Sequence, residues 1–176
     1  MLVLGDSISA GLGVPAGAGW VDLLRPSLDG CEVVNASISG ETSEGGKARL
    51  PALLAAHKPR IVVLELGGND GLRGFPLAVT RANLATMIAT AREAGARVLL
   101  LGMRIPPNYG PRYTEGFHAL YGELAEETGS ALVPFLLEGI ATDPALMQTD
   151  GVHPTGEAQP LILANVLPVL APLIRE

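Results

Sequence analysis

The sequence has 176 residues, of which 48% are hydrophobic and 17% are charged. These proportions predict one globular domain over residues 1–176 with a sizeable core, and they exclude a disordered chain. The formal charge of −6, with no cluster of Lys and Arg, argues against nucleic acid as a partner.

Short apolar segments alternate with longer segments of helical character along the chain. The predicted strands are 2–4, 32–36, 61–66, 98–103 and 131–135. The predicted helices are 20–28, 43–57, 76–94, 112–128 and 157–173, and three prolines, Pro160, Pro168 and Pro172, are expected to shorten or kink the last one. The strands lack polar alternation, which is typical of parallel strands buried on both faces. The pattern predicts an α/β fold, a three-layer α/β/α sandwich around a flavodoxin-like sheet of about five parallel strands.

Polar residues follow the predicted strands, and parallel sheets bind ligands at the carboxyl ends of their strands. Ser7 follows the first strand in the segment Gly5-Asp6-Ser7. A serine at such a turn presents its hydroxyl outside the sheet, which suits a nucleophile. Read alone, the segment is more often an ordinary turn and helix N-cap.

Asp150 and His153 stand three positions apart, just before the last predicted helix. A nucleophilic serine needs a general base within hydrogen-bond reach, and that base needs an acceptor to hold its tautomer. His153 and Asp150 supply both, which predicts a triad with Ser7. An isolated Asp-x-x-His is more often a turn cap beside a surface histidine.

Asn69 follows the third strand, and Gly40 follows the second. Attack on an ester produces an oxyanion, and the Asn69 amide and the Gly40 backbone N–H are donors that could face it. Each is also ordinary turn chemistry when taken singly. We weigh the blocks together, because they occur in the right order and each at a strand end or before the last helix.

The four blocks resemble those of the SGNH (GDSL) hydrolases, whose signature positions are a Ser, a Gly, an Asn and a His. The resemblance places them at Ser7, Gly40, Asn69 and His153, with Asp150 as the triad acid. It implies an oxyanion hole made by the backbone N–H groups of Ser7 and Gly40 and the Asn69 side chain. It also implies esterase activity without a metal or cofactor.

Within that family, segments 34–40, 65–74 and 104–110 are most similar to a bacterial subgroup of acyl-CoA thioesterases, lysophospholipases and arylesterases. The partner expected is therefore a small-molecule ester or thioester. Apolar residues beside the site predict a groove for an acyl chain or aryl ester, although they also suit a core beneath loops. The candidate substrate-binding residues are Asp70, Leu72, Phe75, Ile105, Pro106 and Tyr109.

Two alternatives stay open on the residues. The Gly-rich loop 11–17 suggests a flavodoxin-like domain that binds a nucleotide without catalysis, although its glycine spacing is wrong and no Walker lysine follows. A carbohydrate acetylesterase of the same family is the other, and seven aromatic residues offer few rings to stack on sugars.

Location and assembly are less constrained by the sequence. No apolar run reaches the roughly 18 residues that span a bilayer, so we expect a soluble protein without an integral membrane segment. No signal peptide precedes the first strand, which predicts a cytoplasmic protein, or a periplasmic or secreted one if a leader has been removed. Cys31 is the only cysteine and the three histidines lack metal-ligand spacing, while the oligomeric state is not indicated.

Overall fold

The computed structural model describes residues 1–28 and 30–175. Its strands are β1 (Leu2–Gly5), β2 (Val34–Asn35), β3 (Ile61–Glu65), β4 (Arg97–Leu101) and β5 (Ala131–Val133). All neighbouring pairs are parallel, and the order across the sheet is β2-β1-β3-β4-β5. The predicted sheet of five parallel strands is confirmed.

Helices cover both faces of this sheet. They are α1 (Ser7–Ala10), α2 (Trp20–Leu24), α3 (Ser43–His57), α4 (Gly68–Leu72), α5 (Leu77–Glu93), α6 (Pro111–Thr128) and α7 (Gln159–Arg175), with short 3-10 helices at Arg25–Ser27 and Pro107–Tyr109. α5 packs between α3 and α6 in one layer, and α2 packs on α7 in the other. Every residue of β1 and β3 is buried, which explains why their sequences show no polar alternation.

Three sequence predictions need correction. β2 is only two residues long, because it lies at the sheet edge and pairs on one side. The first predicted helix breaks after Leu24 into a 3-10 turn that contains Pro26. α7 continues through Pro168 and Pro172 to Arg175, so these two prolines do not shorten the helix, and a kink at them stays a prediction. Its apolar face is buried in the core, and tertiary packing of this kind offsets the backbone hydrogen bonds that prolines remove.

Strand order reverses between β1 and β3. The chain leaves β1 toward β2 on one side, and the later strands add on the other side, which opens a crevice at the carboxyl ends of β1 and β3. Ser7 follows β1 and Asn69 follows β3, so both lie at this crevice. Within the described residues, no helix is both long enough and apolar enough to span a bilayer.

Candidate active site

Ser7 is the first residue of α1, directly after the turn that ends β1. Asp6 caps this helix, since its Oδ1 accepts the N–H of Ile8 at 3.0 Å. Gly5 has to be a glycine, because a Cβ there would lie 2.6 Å from Glu65 Oε2. The turn therefore approaches β3 closely and holds Ser7 at the carboxyl edge of the sheet.

Ser7, His153 and Asp150 form a continuous chain of hydrogen bonds. Ser7 Oγ lies 2.8 Å from His153 Nε2, and His153 Nδ1 lies 2.7 Å from Asp150 Oδ2. Residues 146 positions apart in sequence are thus joined in the order that base-assisted attack by a hydroxyl needs.

Asp150 is held in its ionised form by the loop it occupies. Its Oδ1 accepts the backbone N–H groups of His153 at 3.0 Å and Val152 at 2.9 Å. These bonds and the bond to the His153 ring lower the pKa of Asp150 to about 2. At neutral pH the carboxylate accepts from Nδ1, which leaves Nε2 free to take a proton from Ser7.

The loop that carries Asp150 and His153 (the triad loop) is held by hydrogen bonds at its base and along its side. The backbone N–H of Gln148 donates to the carbonyl of His153 at 2.7 Å, and the N–H of Thr155 donates to Leu146. The Gln148 side chain donates to the carbonyl of Leu12, beyond α1, at 2.8 Å. Gly13, with φ of +75°, leaves the space that this side chain fills. The Gly-rich segment after α1 is therefore a contact surface for the triad loop.

Asn69 lies in the first turn of α4, a short helix that was not among the predicted elements. Its Nδ2 donates to Asp6 Oδ2 at 3.1 Å and to the carbonyl of Glu41 at 2.9 Å. Both partners are acceptors, so the amide nitrogen rather than its oxygen is held between β1 and the loop after β2. Gly40 lies on that loop with φ of +80°, next to Glu41. The loop runs beside the end of β1, where the Ile38 N–H donates to the Gly5 carbonyl.

A cavity of about 380 Å³ opens beside Ser7, His153 and Asn69. Apolar side chains form most of its wall: Ile8, Leu72, Met103, Ile105, Pro106, Pro107, Phe135, Leu137, Ala141, Met147 and Val152. This combination of an apolar wall and a few convergent polar groups is typical of a small-molecule site.

Three of the six predicted substrate-binding residues, Leu72, Ile105 and Pro106, line this cavity. The structure places Asp70, Phe75 and Tyr109 outside its lining.

Asp70 is buried and accepts hydrogen bonds from the backbone N–H and the hydroxyl of Ser43. Tyr109 donates its hydroxyl to the carbonyl of Leu72 at 2.7 Å, and the Phe75 carbonyl accepts from Tyr113 at 2.6 Å. Tyr109 thus holds Leu72, which lines the cavity, and direct substrate contact by Asp70, Phe75 and Tyr109 stays a prediction.

One wall of the cavity was not predicted from the sequence. Phe135 and Leu137 follow β5, while Ala141 and Met147 lie on the segment that leads to the triad loop. The rule that pointed to the carboxyl ends of the first four strands applies equally to β5 and would have found Phe135. Ala141 and Met147 carry no local signal, since only the folding-back of their segment brings them to Ser7. Among the described residues, no group of three or more His, Cys, Asp or Glu side chains is placed to hold a metal ion.

A serine, histidine and aspartate joined at the switch point of a three-layer α/β/α fold make up the arrangement of a serine hydrolase. The model of the GDSL-like Lipase/Acylhydrolase family matches residues 3–160, which include Ser7, Asn69 and His153. The chain belongs to this family.

Named relatives agree with that membership. The chain is 57% identical to Esterase TesA of Pseudomonas aeruginosa, over 99% of this chain and 89% of the relative. It is 48% identical to Thioesterase 1/protease 1/lysophospholipase L1 of Escherichia coli K12, over 99% of this chain and 84% of the relative. A crystal structure of TesA superposes with a TM-score of 0.94 at 58% identity, covering 98% of both chains. The predicted family and fold are confirmed.

Proposed function

We propose that the chain hydrolyses carboxylic esters and thioesters through an acyl-enzyme formed on Ser7. The observation that carries this proposal is the hydrogen-bond chain from Ser7 Oγ through the His153 ring to Asp150. The relatives named esterase and thioesterase support the same reaction class.

In the first half of the reaction, Ser7 Oγ attacks the acyl carbonyl carbon while its proton passes to His153 Nε2. Asp150 remains ionised, since its pKa is about 2, and it stabilises the imidazolium through Nδ1. The tetrahedral intermediate then collapses, and His153 gives the proton to the leaving alcohol or thiol. In the second half, water loses a proton to His153 and attacks the acyl-serine. The second tetrahedral intermediate then collapses, the acid leaves, and His153 returns the proton to Ser7 Oγ.

The negative oxygen of each tetrahedral intermediate is proposed to face the N–H of Ser7, the N–H of Gly40 and the Asn69 amide. The positions of these groups support this assignment. Ser7 begins α1, and Asn69 donates a hydrogen bond to the carbonyl of Glu41, the neighbour of Gly40. The two protons of Asn69 Nδ2 already go to Asp6 and to the Glu41 carbonyl. A substrate oxygen therefore has to share one of these two protons with a protein acceptor. A donor of this kind is typically worth roughly 3–4 kcal/mol of barrier.

The apolar cavity supports an acyl chain or an aryl group as the part of the substrate that the protein recognises. Phe135 is the aromatic residue among the described lining residues, and the Arg104 guanidinium lies 5.6 Å from its ring centroid. A sugar ring would therefore find little aromatic surface to stack on, which favours a lipid-like or aryl ester over a carbohydrate acetate.

The competing assignment, a nucleotide-binding domain, rested on the Gly-rich segment after β1. Gly13 in that segment leaves room for the Gln148 side chain, so packing already explains why a glycine stands there.

A periplasmic or secreted location stays a prediction, which fractionation of cells that express the gene would test.

Labelling with a fluorophosphonate, followed by peptide mapping, tests the nucleophile directly. We expect the label on Ser7, and we expect Ser7→Ala to lose both the label and at least about 10³-fold in kcat on p-nitrophenyl butyrate. Ser27→Ala, at an exposed serine on the 3-10 turn, is the matched control and should behave as the parent. A label on another serine, or a Ser7→Ala variant within tenfold of the parent kcat, would contradict the proposal.

A series of p-nitrophenyl esters from acetate to decanoate tests the cavity. We expect kcat/KM to rise with chain length until the cavity is filled, because each buried methylene contributes about 0.8 kcal/mol. Equal kcat/KM across the series would show that the acyl chain does not enter the cavity.

A further inference from the structure

Glu65, the last residue of β3, lies beneath the nucleophile turn and is fully buried. Its Oε2 accepts the backbone N–H of Asp6 at 3.1 Å, the N–H of Ser9 at 3.2 Å and the Ser9 hydroxyl at 2.8 Å. Asp6 and Ser9 flank Ser7, so one carboxyl oxygen ties the chain to β3 on both sides of the nucleophile. None of the three donors is charged.

Asp6 is a second buried carboxyl, and it connects the same turn to the proposed oxyanion hole. Its Oδ1 accepts the Ile8 N–H, and its Oδ2 accepts from Asn69 Nδ2. A Cβ on Gly68 would lie 3.3 Å from Asp6 Oδ2, so α4 approaches this carboxyl closely. Glu65 thus holds the turn, and the turn holds the Asn69 amide.

Two adjacent buried carboxyls resist being ionised together, because the negative charge of one disfavours ionisation of the other. Asp6 faces Glu65 from β3 and His153 from the triad loop, while Tyr121 of α6 lies near both acids and near Asp70 of α4. Burial and the Asp6 charge raise the pKa of Glu65 well above its usual range. Burial also raises the pKa of Asp6, to about 6, although the Ile8 N–H, Glu65 and His153 all act in the opposite direction.

We propose that Glu65 is a positioning residue for the nucleophile: as a neutral acid it braces the turn around Ser7 and leaves one negative charge, on Asp6, to orient Asn69. The inference deepens the proposed function and rests on it. A neutral Glu65 still accepts from its three donors and avoids a second buried charge beside Asp6, and burial and the Asp6 charge outweigh the hydrogen bonds, which by themselves favour the ionised form.

Glu65→Gln distinguishes the effect of the hydrogen bonds that Glu65 accepts from the effect of a negative charge on it. The amide oxygen replaces Oε2 as acceptor, and the NH₂ group takes the place of Oε1, which has no hydrogen-bond partner among the described residues, so the acceptor and the size of the neutral acid are kept. Glu65→Ala removes the acceptor, leaves the Asp6 and Ser9 donors buried without a partner, and frees the turn to shift. A displacement of about 1 Å at a reacting group can lower a rate by roughly 10²-fold.

The experiment compares kcat, KM and the melting temperature of the parent, Glu65→Gln and Glu65→Ala at pH 8. It follows a first measurement in which Ser7→Ala has been shown to lose activity. That reference separates a failure of this inference from a failure of the proposed function. We expect Glu65→Ala to lose kcat about 10²-fold with nearly unchanged KM. We expect Glu65→Gln to restore kcat to within roughly fivefold of the parent. A folded Glu65→Ala with the parent kcat, or a Glu65→Gln as slow as Glu65→Ala, would overturn the proposal.

Two further measurements cover a Glu65→Ala variant that does not fold. Ser9→Ala removes one of the three donors and keeps the carboxyl, and we expect kcat to fall about three- to tenfold at constant KM. Infrared spectra at pH 8 should show the C=O stretch of a protonated carboxyl in the parent, and this band should be missing from Glu65→Gln. An unchanged kcat in Ser9→Ala, or a band that persists in Glu65→Gln, would refute the neutral brace.

Discussion

Asp150→Asn is the substitution that most directly tests the triad geometry. The Asn oxygen can still accept from the N–H groups of Val152 and His153, so the loop is preserved. Its NH₂ group, however, faces His153 Nδ1, where the parent presents an acceptor. The imidazole must then carry its proton on Nε2, which prevents it from accepting the proton of Ser7.

The size of the effect follows from the exposure of the acid. In serine proteases with a buried triad aspartate, the same change lowers kcat by about 10⁴-fold. The Asp150 side chain is 47% exposed, so water screens its charge and supplies alternative hydrogen bonds. We therefore expect a loss of about 10³-fold in kcat, or roughly 4 kcal/mol of barrier, with little change in KM.

Steady-state hydrolysis of p-nitrophenyl butyrate at pH 8 measures this loss, and Asp143→Asn is the matched control. Asp143 lies on the same segment, and its Oδ1 accepts the Ala145 N–H at 2.9 Å, as the Asp150 Oδ1 does from Val152. The control should keep the parent kcat. An Asp150→Asn variant within tenfold of the control would refute the reasoning, because the tautomer would then be set by something other than Asp150.

Three further predictions concern stability and selectivity. The pKa of Asp6 rises from 3.8 to about 6 on folding, so ionising it costs stability as pH rises through this window. As the pH rises from 3.5 to 7, the free energy of unfolding of Asp6→Asn, measured by chemical denaturation, should increase by about 3 kcal/mol relative to that of the parent. Equal pH profiles of the two proteins would contradict the raised pKa. Ala141→Trp places a large side chain in the cavity and should lower kcat/KM for p-nitrophenyl decanoate at least about tenfold while sparing the acetate, and equal losses would place the acyl chain elsewhere. Gly67→Ala puts a Cβ against the Tyr121 hydroxyl at φ of +109° and should cost roughly 2–4 kcal/mol in urea unfolding. Gly95→Ala, at positive φ with open space around it, is the control, and an equal cost there would remove the steric part of the argument.

The sheet could be predicted from the sequence because its signals are local. Runs of Val, Ile and Leu at 61–66 and 98–103 identify buried parallel strands, and their carboxyl ends identify where polar residues meet. Ser7 and Asn69 were predicted for that reason, and His153 from its spacing to Asp150 before the last helix, and a resemblance to one family joined the three. α7 was misjudged, because the prediction weighed the local effect of Pro168 and Pro172 and could not weigh the burial of the opposite face.

Features that depend on non-local contacts were not predictable in this way. Asp6 and Glu65 were assigned no role from the sequence, because nothing in either segment indicates that the two carboxyls meet. Gln148 stands in a segment without a motif, yet it joins the triad loop to the Leu12 carbonyl 136 residues away. Such pairs become visible only when the strand order is known.

The placement of β1 between β2 and β3 has a consequence for how the enzyme matures. The turn that carries Ser7 can bond to Glu65 only after the end of β3 has been synthesised, and His153, the proposed base, arrives later still, on the loop before α7. A nascent chain therefore builds most of its sheet before it can transfer an acyl group. Recovery of ester hydrolysis during refolding should report docking of the carboxyl-terminal segment. Tryptophan fluorescence from Trp20 in α2 should follow the packing of α7, which belongs to that segment, on α2.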